Sequence, residues 1–160
     1  MQLAHHLRTL QSAERQLAAA LRTVADGRAD EVDVFHIATT LAEQCDEHAR
    51  ELAGFVQHYG DALPEGERER DEQARPDAPR RLLSDGVHPG PLGLLRELND
   101  LYLQACECEL AWTLTMQAAQ GARDRDLIEL ATRCAGESGI QLKWMRTRMK
   151  QAAPQAMVVV

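Results

Sequence analysis

Aromatic side chains are scarce: two Trp, two Tyr and two Phe in 160 residues. A β-sandwich leans on aromatic and β-branched residues. Here Ala, Leu, Gln, Glu and Arg dominate, the composition of helices packed through aliphatic groups, so the expected fold class is all-α. No run approaches the ~18 apolar residues of a membrane span. The start, Met1-Gln-Leu-Ala-His-His, lacks the basic residues and apolar stretch of a secretion signal. A cytoplasmic location with no membrane partner is therefore expected. Nor is there a stripe of Lys and Arg: the formal charge of −7 repels phosphate backbones, which argues against nucleic acid as a partner. A Gly-rich phosphate loop, a Gly-x-Ser-x-Gly turn and a Cys-x-x-Cys pair are all missing, so nucleotide and hydrolytic chemistry have no motif behind them.

What is present is helical periodicity on the scale of one domain, residues 1–160. Apolar residues at alternating intervals of three and four predict helices over about 3–25, 33–59, 91–120 and 124–152. Five of the six prolines fall between residues 60 and 93. That stretch predicts a connection over about 60–90, long against the usual ~4–6 residues and long enough to cross a bundle from end to end. Within it Arg80-Arg-Leu-Leu is a candidate short helix, and the charged tract Glu65–Glu72 reads as a solvated loop. The architecture expected is a four-helix bundle of two hairpins joined by a long crossover.

Each seam carries a polar interruption near its midpoint. The first runs Leu3, Leu7, Leu10, Glu14, Leu17, Leu21, Val24. The second runs Val34, Ile37, Leu41, Cys45, His48, Leu52, Phe55, Tyr59. The third is read as Leu95, Leu98, Tyr102, Ala105, Glu109, Trp112, Met116, Ala119. The fourth is read as Leu127, Ala131, Cys134, Ser138, Gln141, Met145, Met149, with Glu137 at its edge. The interruptions lie within ~5 Å of the helix centres at 1.5 Å per residue, so they should meet in one layer. Two buried carboxylates there need a metal, shared protons or polar partners. Cys45 and His48, spaced i, i+3, could chelate one ion with Cys134 and Glu109, a set suited to zinc or a single iron. Equally open is a metal-free layer in which Glu14 and Glu109 pair with His48, Gln141 or Tyr102 through hydrogen bonds.

Ala13-Glu-Arg-Gln-Leu17 and the spacing up to His48-Ala-Arg-Glu-Leu52 resemble the ferritin-like superfamily of di-metal carboxylate bundles, in particular its small YciF-like members. The resemblance covers the two hairpins and implies Glu, Glu-x-x-His, Glu and Glu-x-x-His from successive helices. Glu14, His48 and Glu109 match. Cys45 and Cys134 stand where bridging Glu residues are expected, and Glu137 stands where a His is expected. Thiolates there would change the charge and softness of the site, which argues against ordinary ferroxidase or oxygenase chemistry. The resemblance thus implies a stress- or metal-storage-type protein with a non-standard centre of Glu14, Cys45, His48, Glu109, Cys134 and Glu137, binding iron or zinc or having lost its metal. The rival readings are a non-catalytic helical interaction module and, more weakly, a thiol redox protein using Cys45 and Cys134.

Cys106 and Cys108 point about 200° apart on a helix and cannot share an ion or a disulfide, so they read as core filling. His5, His6 and His36 read as surface residues. A second apolar row on the third helix, Leu103, Cys106, Leu110 and Leu114, exceeds the needs of one seam and predicts a homodimer through that helix.

Overall fold

The computed structural model describes residues 2–73 and 89–159. Five helices follow one another: α1 (Gln2–Gly27), α2 (Val32–Asp61), α3 (Glu65–Gln73), α4 (Gly90–Ala122) and α5 (Arg125–Met157). The all-α bundle is formed by α1, α2, α4 and α5. None of the helices is long and apolar enough to cross a membrane, among the described residues.

Short links make two hairpins, α1–α2 and α4–α5. The Asp124 side chain accepts from Leu127 N at 3.0 Å and caps α5. Arg123 ends α4 in the left-handed conformation, φ 57°. The head of α2 has no side-chain cap. Glu31 makes no side-chain capping bond there; Glu31 and Asp33 instead accept from Arg148 of α5, at 3.0 and 2.9 Å.

Contacts between the hairpins fix the topology. Arg28, just past α1, donates to Glu97 at 2.8 Å and to Gly90 O at 3.3 Å, at the start of α4. Near the other end, His6 Nε2 lies 3.0 Å from Thr115 Oγ1, so α1 and α4 are antiparallel. Tyr59 Oη donates to Asp124 at 2.7 Å and ties the end of α2 to the α4–α5 turn. The chain therefore leaves one end of the bundle after α2 and re-enters at the other as α4, which is the expected crossover.

Three local expectations are corrected. Glu65–Gln73 is helical rather than a loop: Pro64 O accepts from Glu67 N and Arg68 N, acidic Glu65 and Glu67 occupy the first turn, and Arg70 lies in the last. Arg68 also folds back onto Leu63 O and Asp61 O, each at 2.7 Å. The candidate helix Arg80–Leu83 lies outside the described residues. Helix α5 continues through Pro154 to Met157, because a missing N–H is lost from the last turns only once and Pro154 O still accepts from Val158 N.

The third correction concerns α4. Its buried face is Leu94, Leu98, Leu101, Ala105, Cys108, Trp112, Thr115 and Ala119, not the row through Leu95, Tyr102, Glu109 and Met116. Both rows share Leu98, Ala105, Trp112 and Ala119, so spacing alone admits either. At mid-helix the observed register buries the Cys108 thiol instead of the Glu109 carboxylate, and burial of an ionised carboxylate is far costlier.

One apolar cluster gathers Leu17–Ala25, Val34–Cys45, Leu94–Cys108 and Met145 around one half of the bundle. Another gathers Ala4–Leu10, Leu52–Leu63, Trp112–Ala119 and Leu127–Cys134 around the other half. Between them lie the buried polar residues Glu14, His48, Ser138 and Gln141. The register makes a direct test. Leu101→Ala is expected to cost ~2–5 kcal/mol in urea unfolding, whereas the exposed Gln117 of the same helix can be cut to Ala within ~0.5 kcal/mol.

Candidate metal centre

Glu14 falls between Leu10 and Leu17 on the inward face of α1, and helical spacing leaves it no route to solvent: it is 0% exposed. A carboxylate at that depth must find partners. One is the Trp112 indole of α4, whose Nε1–H donates to Glu14 Oε1 at 2.6 Å. Another is His48 of α2, whose Nδ1 stands 3.2 Å from the same oxygen. The indole also meets the imidazole edge to face, centroids 5.7 Å apart, and holds the ring's plane.

The other nitrogen of His48, Nε2, faces Glu137 Oε2 of α5 at 2.6 Å. One turn before Glu137 on α5 is Cys134. The ligand atoms of His48, Cys134 and Glu137 all lie within 4.8 Å of one another. His48 and Cys134 are buried and Glu137 is partly exposed, so the cluster is closed on the inside and open at one carboxylate.

The electrostatics follow from this packing. Burial by itself lowers the His48 pKa; hydrogen bonds to Cys134 and Glu14 and the Glu14 charge outweigh it and push the ring up to about 10. Glu137 at 2.6 Å acts in the same sense. The two ring nitrogens of His48 thus each face an acidic side chain, Glu14 and Glu137, and the raised pKa favours the protonated ring. Burial pushes the Cys134 thiol up, with His48 opposing. Burial, then the Glu14 charge, pushes Cys45 up strongly, and the same causes act on Cys108.

Of the six residues expected at the centre, the structure brings His48, Cys134 and Glu137 together and joins Glu14 to them through His48. Cys45 lies beside them, its sulfur 3.8 Å from Gln141 Oε1, and Gln141 continues to Gln44 Oε1 at 2.7 Å. Glu109 is half-buried on the flank of α4, where its carboxylate accepts from Thr113 Oγ1 at 3.3 Å. The α4 position facing Glu14 belongs to Trp112 instead. Its shared place in both possible registers was the available signal, but an indole reads as core filling until a buried acceptor stands opposite it.

The donor set fits a metal. Imidazole, thiol and carboxylate from two facing helices are the ligand types of a zinc or single-iron site. With Nε2 as ligand, Nδ1–H on Glu14 forms the orienting carboxylate–histidine pair usual behind metal-bound histidines. Glu14 Oε2 and Ser138 Oγ are buried without a hydrogen-bond partner among the described residues. The set does not fit two irons held by bridging carboxylates, because among the described residues the cluster contributes a single carboxylate, Glu137. No family model, no curated protein and no solved structure matches the chain.

A pH series on the metal-free protein tests the charge on His48. With the folded pKa near 10 and the ordinary histidine value at 6.5, its stabilisation is complete below pH 6.5 and declines as pH rises toward 10. The expected slope of the unfolding free energy is at most ~1.4 kcal/mol per pH unit. Above about pH 8.5 the raised thiols add a fall of the same sign. His48→Gln flattens the slope between pH 6.5 and 8.5, read by urea unfolding at each pH.

Proposed function

We propose that this chain is a metal-binding helical bundle of ferritin-like topology that holds one divalent ion, zinc or iron(II), on His48 Nε2, Cys134 Sγ and Glu137. Glu14 orients His48, Cys45 and Gln141 line the inner wall, and Glu109 takes no direct part. The observation that carries this reading is the convergence of three unlike donor atoms within 4.8 Å at the buried midpoint. Charge balance supports it. The metal-free centre carries Glu14 and Glu137 against one imidazolium. A divalent ion that displaces one proton from His48 and one from Cys134 leaves the net buried charge unchanged.

A bound ion there would add a Lewis-acidic charge at the mouth of the layer. With thiols at the bridging places, the role that follows is holding metal, in storage or stress protection in the cytoplasm, rather than oxygen activation. A second reading has its own observation: the Glu14–His48–Glu137 chain is already hydrogen-bonded, as in a non-catalytic interaction module whose ancestral metal has been lost. Thiol redox chemistry has the least support, because burial holds Cys45, Cys108 and Cys134 as thiols and the thiolate is the reactive form.

The partner we propose is a second copy, through α4. Leu103, Leu110 and Leu114 are 46%, 56% and 51% exposed along one side of that helix, an apolar row without a covering element among the described residues.

Protein purified without chelator is expected to take up about one equivalent of Zn(II) or Co(II). About two protons should be released per ion, and affinity should rise with pH by up to ~100-fold per unit below the His48 pKa. His48→Ala and Cys134→Ser abolish uptake, and Glu109→Gln leaves it unchanged. Less than about a tenth of an equivalent after Zn(II) or Fe(II) addition decides for the interaction module. For the dimer, sedimentation should show two copies, and Leu110→Glu with Leu114→Glu should yield one folded copy.

A further inference from the structure

Of the clustered donors, only Glu137 reaches solvent, its side chain 28% exposed. An ion arriving from outside therefore meets Glu137 first. This carboxylate stands on the seam between α2 and α5, which touch least of the four neighbouring helix pairs. The α1–α4 seam is filled at the same depth by Trp112, itself fully buried.

On the same seam, reaching Arg133, lies a surface depression of about 300 Å³ lined by Glu51, Phe55, Asp126, Glu129, Leu130 and Arg133. Arg133 of α5 spans the seam. One of its amines binds Glu51 of α2 in a tight ion pair, and Nη1 lies 3.4 Å from Glu137 Oε1. The opposite oxygen of Glu137 is the one at His48 Nε2. A guanidinium thus sits on the outer side of the same carboxylate whose inner side belongs to the cluster.

We propose, building on the metal reading above, that the α2–α5 seam is the route by which a divalent cation reaches His48 and Cys134, and that Arg133 is its displaceable plug. The cation and the guanidinium compete for Glu137 Oε1. The contact at 3.4 Å is the looser of Arg133's two ion pairs, so it breaks while the Glu51 pair persists. Arg133 is 44% exposed and has room to swing outward. The carboxylates of Asp126 and Glu129 around the depression draw cations to the mouth as the guanidinium turns away from Glu137.

Stopped-flow mixing of the metal-free protein with Co(II), followed by thiolate-to-Co(II) charge-transfer absorbance, tests the route. Arg133→Gln is expected to raise the association rate constant about tenfold, with a steeper fall in added salt. Arg22→Gln is the control. It removes the comparable exposed ion pair with Asp46 on the α1–α2 seam, at 2.5 Å, and should leave the rate unchanged. Circular dichroism of both variants establishes that they are folded. A rate for Arg133→Gln within about twofold of the wild type, in protein that does bind Co(II), overturns the plug and leaves the metal reading standing. Absence of Co(II) uptake in all three proteins overturns both.

Discussion

The constraint on which this structure turns is the burial of one carboxylate. Glu14 sits with no exposed surface at the middle of a bundle that is otherwise aliphatic, and an unpaired charge there costs several kcal/mol. Its neighbours are arranged to meet that cost: an indole N–H from α4, an imidazole from α2 and, beyond the imidazole, a second carboxylate from α5. Three helices are placed by their bonds to one side chain or through one ring. The two apolar clusters on either side would tolerate a helix sliding by a turn; this layer would not.

The same arrangement explains how a metal site and a metal-free network can share atoms. His48 has two nitrogens and each faces a carboxylate, so a proton on Nε2 and an ion on Nε2 are alternatives at the same place. Cys134 lies close enough to join whichever occupant is there. On the proposed reading, proton and ion would compete for one seat, with Glu14 behind the ring in both cases.

Much of this was legible in the chain. The alternating three-and-four spacing placed the four long helices and the crossover, and Glu14, Cys45, His48, Cys134, Ser138 and Gln141 are all inward-facing and buried. The register of α4 was not legible, because a helix with two apolar rows satisfies the same spacing in two rotations. Only packing against α1 and α5 selects Cys108 over Glu109. Helix α3 was hidden for the opposite reason: its charged sequence has no apolar period, and it forms around Pro64 and the Arg68 contacts to the end of α2. The reach of Glu137 to His48, and of Arg133 to Glu137, depends on side-chain direction at the edge of a face, which spacing does not specify.

The crossover topology has a consequence for how the molecule comes together. Glu14 and His48 belong to the first hairpin, and Trp112, Cys134 and Glu137 to the second. Each hairpin alone holds an incomplete complement, a charge or a donor whose counterpart is on the other piece. A half-molecule therefore has reason to keep its midsection wet and loosely wound. The interior closes only when the two halves meet, making their docking the event that commits the chain to its final form.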